Sequence, residues 1–180
     1  MSLFDKEFNE ILSGQIVSLI GGLIAGTLLA VYTDNLLLIP AMFILIPGFL
    51  ELRGNISGSL SARLSSGLFL GLVKPRFDNS YLLRGNIIAS FLLTLVVSVL
   101  LGVLAFLFEY LLFGIIYIKI IYIAITAGIL ANVISIPFAV FFTFYLFRKG
   151  HDPNNIMGPF LTSLGDITSI AAILLTLVIL

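Results

Sequence analysis

Cysteine is absent from this chain and histidine occurs once, at His151. The first absence excludes disulfides and thiolate metal sites. The second excludes a His-Glu-x-x-His zinc centre, which needs two histidines on one helix. Charge is scarce as well. Asp, Glu, Lys and Arg make up 10% of the residues, and nine basic side chains balance nine acidic ones. A neutral chain has no electrostatic footprint for nucleic acid. The first residues, "MSLFDKEFNE", mix both signs of charge, unlike the basic start of a signal peptide.

What fills the chain instead is apolar. Hydrophobic residues reach 60% and the mean hydropathy is +1.21, where a soluble domain is nearer half apolar and a quarter charged. Runs such as Ile87–Phe108 and Ile121–Phe147 are too long for a soluble core. The expected fold class is an all-α membrane protein with five transmembrane helices. They are placed at residues 12–32, 36–73, 81–108, 120–147 and 155–180, so that 12–180 is one transmembrane domain behind a short cytoplasmic segment, 1–11. Pro40, Pro47 and Gly48 predict a kink or break in the second helix. "TDN" at 33–35 and "KPRFDNS" at 74–80 read as turns, and "HDPNN" reads as a helix start with Asp152 as cap and Pro153 in the first turn.

With five spans, Lys6, Lys74, Arg76, Arg84, Arg148 and Lys149 fall on one side, with Arg63 near it, and Lys119 on the other. The positive-inside rule then puts the N-terminus in the cytoplasm and the C-terminus outside a multi-pass protein of the cell membrane.

Asp166 lies about 15 Å into the last helix, halfway through a ~30 Å hydrocarbon core. A carboxylate there costs at least ~2.5 kcal/mol and points to function. At 100° per residue, Asn155, Pro159, Thr162, Asp166 and Ser169 share a stripe about 80° wide. On the second helix Glu51, Asn55, Gly58, Ser59, Ala62 and Ser66 share a face, and Arg53 points away. Two such stripes are hidden from lipid by facing one another or a watery path. For Glu51 and Arg53, mutual pairing or snorkelling is the plainer alternative. An intramembrane aspartyl protease would need Gly-x-Gly-Asp and a second aspartate; the stretch here is "SLGD" and there is no such partner. The protein is not expected to be an enzyme.

These residues carry a family resemblance. "GHDPNNIMGPFLTSLGDITSI" resembles the last-helix signature of the MgtE-type magnesium transporters, matched at Asp152, Pro153, Pro159, Phe160, Thr162, Ser163 and Asp166. "RGNISGSLSARLSSGLFLG" resembles that family's second-helix signature, with Gly54, Asn55, Arg63, Leu64 and Gly71 in its places. The form is similar to archaeal half-length relatives of the animal solute-carrier branch. It departs from the bacterial Gly-Gly-Asn at Arg53. With so short a segment before the first helix, the family's large cytoplasmic regulatory region is not expected.

The resemblance implies transport of a divalent cation, most readily Mg²⁺, along a path at a homodimer interface in the lipid bilayer, with no organic cofactor. The implied metal residues are Asp166, Asn55, Thr162 and Ser163; Glu51, Gly54, Asn155 and Ser169 are secondary candidates lining the path. Hard oxygen ligands of this kind suit Mg²⁺, which keeps several of its waters, and no soft ligand lies in the stripe. The alternatives are a proton-coupled transporter of another solute, transport of a different divalent metal, a heterodimer with a similar half-protein, and a membrane subunit that transports nothing.

Overall fold

The structure, a computed structural model, describes residues 5–78 and 80–180, and for residue 35 the backbone only. Residues 1–4 of the expected N-terminal segment and Asn79 of the expected turn lie outside the described residues. The described residues form six helices: α1 (Lys6–Val31), α2 (Thr33–Leu37), α3 (Ala41–Phe69), α4 (Tyr81–Phe113), α5 (Lys119–Arg148) and α6 (Pro153–Ile179).

Several limits differ from the sequence reading. Asp5 caps α1, accepting from Phe8 N–H at 3.0 Å, so the helix takes in residues 6–11 of the expected tail. "TDN" is the first turn of the short α2 rather than a loop. The chain breaks at Leu38–Pro40, and Pro47 sits inside a continuous α3 that stops at Phe69. The third long helix runs past 108 to Phe113, where Gly114 ends it in the left-handed region (φ 67°).

That extension places Glu109 in α4, 1% exposed. Pro40 provides no side-chain cap for α3. Glu109 does so from the neighbouring helix: its Oε1 accepts from Ala41 N–H at 3.2 Å. A carboxylate at a helix N-terminus meets both the free N–H groups and the positive end of the dipole. At the start of α6, Asp152 accepts from Asn154 N–H at 2.8 Å and Pro153 fills the first turn, as the sequence indicates.

Among the described residues four helices are long and apolar enough to cross a membrane: α1, α4, α5 and α6. Helix α3 has the length but not the apolarity, because Glu51, Arg53, Asn55 and its serines dilute it. It is instead flanked by three long helices, α4, α5 and α6. Helix α1 is the opposite case. Its only long neighbour among the described residues is α6, and Leu19 and Leu23 are 67% and 65% exposed.

The two ends of the molecule are tied differently. At one end Lys6 donates to Gly150 O, and Glu10 accepts from His151 Nδ1 at 2.9 Å and from Asn155 Nδ2 at 3.0 Å. At the other, Lys119 Nζ donates to the Leu180 main-chain oxygen at 3.0 Å.

The apolar interior is in two parts. One packs Met42, Leu45 and Phe49 of α3 against Ile120, Ile123 and Ala127 of α5 and Ile173 of α6. The other packs Leu60, Leu64 and Leu68 against Ile136, Val140 and Phe144 of α5 and Met157 and Leu161 of α6. Between them lies a layer of buried polar side chains: Arg53, Ser57, Asn132, Ser135, Thr168 and Ser169.

Candidate functional site

On the outer side of this polar layer, α3 and α6 cross with a glycine from each at the contact. A Cβ on Gly54 would stand 3.3 Å from Thr162 Oγ1, and one on Gly165 would stand 3.2 Å from Arg53 Cβ. Small residues at a crossing let two backbones approach more closely than larger side chains permit. The approach brings the two polar stripes to the walls of one cleft of about 290 Å³. Glu51, Gly54 and Asn55 of α3 form one wall, Thr162 and Asp166 of α6 the other, and Pro47 closes an end.

Three of the four polar side chains in the cleft are set by a local bond. Asn55 Nδ2 donates to Glu51 Oε1 at 2.9 Å. A carboxylate only accepts, so the amide nitrogen faces Glu51 and Oδ1 remains as an acceptor. Thr162 uses its hydroxyl proton on Gly158 O at 3.1 Å, which leaves its oxygen lone pairs to accept. Asp166 is half-buried and has no hydrogen bond or ion pair among the described residues. No lysine or arginine pairs with Glu51 either. The cleft therefore presents two carboxylates and two neutral oxygens, all acceptors. Oxygen acceptors of this kind could hold a hard cation, with water completing its coordination.

Five of the eight residues singled out from the sequence line this cleft: Asp166, Asn55, Thr162, Glu51 and Gly54. Three do not. Ser163 is one residue, or 100°, round the helix from Thr162. It is 4% exposed, donates to Phe160 O at 3.0 Å, and is seated where a Cβ on Gly21 of α1 would collide with it. Asn155 is at the end of α6, held by Glu10. Ser169 is fully buried, its hydroxyl without a partner among the described residues.

Arg53 also has a place that sequence did not reveal. It neither pairs with Glu51 nor snorkels to an interface. It is 1% exposed and runs between helices, donating from Nη1 to Gly128 O at 3.3 Å and from Nη2 to Asn132 Oδ1 at 3.1 Å. No pattern in the α5 sequence marks Asn132 as its partner. The Glu10–His151–Asn155 cluster was equally hidden, because Glu10 is more than 140 positions from the other two.

Among the described residues no group of three or more His, Cys, Asp or Glu side chains is arranged to hold a metal. Among the described residues the cleft thus holds a carboxylate pair and no larger acidic cage. No curated protein and no solved structure matches this chain. A family model does: MgtE, described as a divalent cation transporter, matches residues 46–176, from within α3 to near the end of α6.

Proposed function

Because this chain belongs to the MgtE family of divalent cation transporters, we propose that it moves Mg²⁺ across the membrane through a path formed between two copies of itself. The observation that carries this reading is the cleft in which Glu51, Asn55, Thr162 and Asp166 meet with no cationic side chain within ion-pair distance among the described residues. Two carboxylates at membrane depth need a positive partner, and a passing divalent ion provides it.

The cleft is open on one side. Beside it, Pro47, Glu51, Asn55, Ser59, Ala62 and Ser66 form an exposed face of α3. A face of small and polar residues suits a helix–helix contact or water, not lipid. A second copy laid on it by a two-fold axis closes the cleft and brings a second Asp166 across the path. The ion then sits between paired carboxylates, with Asn55 Oδ1 and Thr162 Oγ1 placed to hold its waters.

In this reading α3 is the fifth span, shielded from lipid by α4, α5, α6 and the partner subunit. The protein is a multi-pass membrane protein. The end carrying Lys6, Arg148 and Lys149 faces the cytoplasm, and the end carrying Lys119 and the C-terminus faces outward.

The test is flux. Purified protein in liposomes is expected to admit Mg²⁺ and Mn²⁺ but not Na⁺. Asp166→Asn, which keeps shape and removes charge, is expected to abolish divalent uptake while retaining the wild-type elution volume in size exclusion. Normal uptake by Asp166→Asn would rule the cleft out as the path.

A further inference from the structure

Arg53 is a full positive charge in the polar layer of the bundle, and the transport reading above gives it no part. Its guanidinium is permanently ionised. It has one backbone carbonyl and one amide oxygen as partners, the Phe49 ring at 6.0 Å, and no hydrogen-bond partner for Nε. No carboxylate lies within ion-pair distance among the described residues. A buried charge paired only with neutral groups is costly at membrane depth. Something nearby must offset it.

The cleft is the negative group within reach. Arg53 sits on the same turn of α3 as Glu51 and Asn55, but two residues along the helix is 200° of rotation. The guanidinium therefore lies behind the wall that those residues form, about one helix diameter (~10 Å) from the cleft. The wall itself is thin. The Arg53–Gly54 backbone rests directly on Gly165, the neighbour of Asp166, with Arg53 Cβ 3.2 Å and Gly54 N 3.5 Å from a Cβ placed there.

Resting on the cleft as the ion path, we infer that Arg53 is a positioning residue that sets the charge of the path: it reduces the net charge of each copy's Glu51–Asp166 pair from minus two to minus one. Two copies then present minus two to the ion, which equals the charge of one divalent cation. Without Arg53 the same ion would meet minus four. It would bind more tightly and leave more slowly. Conduction needs binding strong enough for entry and weak enough for release, and Arg53 supplies the weakening from behind the wall, touching neither ion nor ligand.

The measurement is the concentration dependence of Mn²⁺ uptake by the full chain in liposomes, resolved into KM and kcat. A unit charge ~10 Å from a divalent ion, at an effective dielectric of about 20, changes affinity by about a hundredfold. Arg53→Met is expected to lower KM for Mn²⁺ by about that factor and to lower kcat with it. Arg53→Lys keeps the charge and is expected to return both towards wild type. Asn132→Leu removes a hydrogen-bond partner and leaves the charge, so its KM is expected to stay at the wild-type value. Arg53→Gln, neutral but still a donor, takes the place of Arg53→Met if that variant is not monodisperse.

A KM that is unchanged or raised in the neutral variant overturns the inference. So does equal behaviour of the Lys and neutral variants, or a lowered KM in Asn132→Leu, since either makes packing the cause. Asp166→Asn is measured in parallel. If it is inactive while the neutral Arg53 variant keeps its KM, only the role of Arg53 fails. If it transports normally, the path reading fails and the role of Arg53 with it.

Discussion

Asn55 holds Glu51 from one turn further along α3, Nδ2 to Oε1 at 2.9 Å, and both line the cleft that Asp166 enters from α6. The bond fixes the direction of the carboxylate and leaves the amide oxygen of Asn55 to accept. Asn55→Leu removes both effects at once. Its Mn²⁺ flux in liposomes is expected to fall about 10- to 100-fold, the usual loss when a residue orienting a metal ligand is removed. Flux at the wild-type level would mean that the Glu51 side of the cleft does not contact the ion's water shell.

Asp166→Glu keeps the charge and lengthens the side chain by one methylene. In a cleft narrowed by the Gly54–Thr162 contact, that length takes up room a hydrated Mg²⁺ requires. Uptake is expected to fall between wild type and Asp166→Asn, with the wild-type elution volume retained in size exclusion. An Asp166→Glu protein that outperforms wild type would contradict so tight a fit.

A chain without cysteine makes the partner face easy to map. Ser59→Cys introduces a single thiol on the exposed face of α3, beside the proposed two-fold axis. Mild oxidation in native membranes is expected to give disulfide dimers. Leu19→Cys, 67% exposed on α1, is expected to give none. The reverse pattern would place the interface on α1.

Gly165→Val tests the crossing itself. A Cβ there stands 3.2 Å from Arg53 Cβ with the α3 backbone immediately behind, so neither helix can yield without shifting. A cost of about 1–3 kcal/mol is expected, read as a lower Tm in detergent. Gly22→Val on α1, where a Cβ meets nothing within 4 Å, is expected to leave Tm nearly unchanged.

The legible parts of the sequence were those set by local periodicity. The start of α6 follows from adjacent residues, Asp152 and Pro153. The division of α3 into a face with Glu51 and Asn55 and a back with Arg53 follows from 100° per residue. What escaped depended on neighbours in space. Glu109 resembled the beginning of a connection because it is charged, yet it caps α3 from within α4. Ser163 matched a motif as well as Thr162 did, and the seat of α1 on α6, at Gly21, shows what it meets on turning from the cleft. Lys6, Glu7 and Glu10 looked like a polar tail, whereas Glu10 is the buried anchor that ties α1 to His151 and Asn155.

The polar layer between the two apolar clusters has a consequence for alignment along the membrane normal. Leucine and isoleucine surfaces are nearly interchangeable from one helical turn to the next, so apolar contact alone tolerates sliding. Hydroxyl, amide and guanidinium groups do not. Ser135 and Thr168 meet at 3.2 Å, and Arg53 reaches Asn132 at 3.1 Å. A slip of one turn would break both contacts inside a medium with no water to replace them. The layer thus keys α3, α5 and α6 to a common depth, as a notch fixes sliding rails, and so keeps Glu51 and Asp166 at the same height on either side of the cleft.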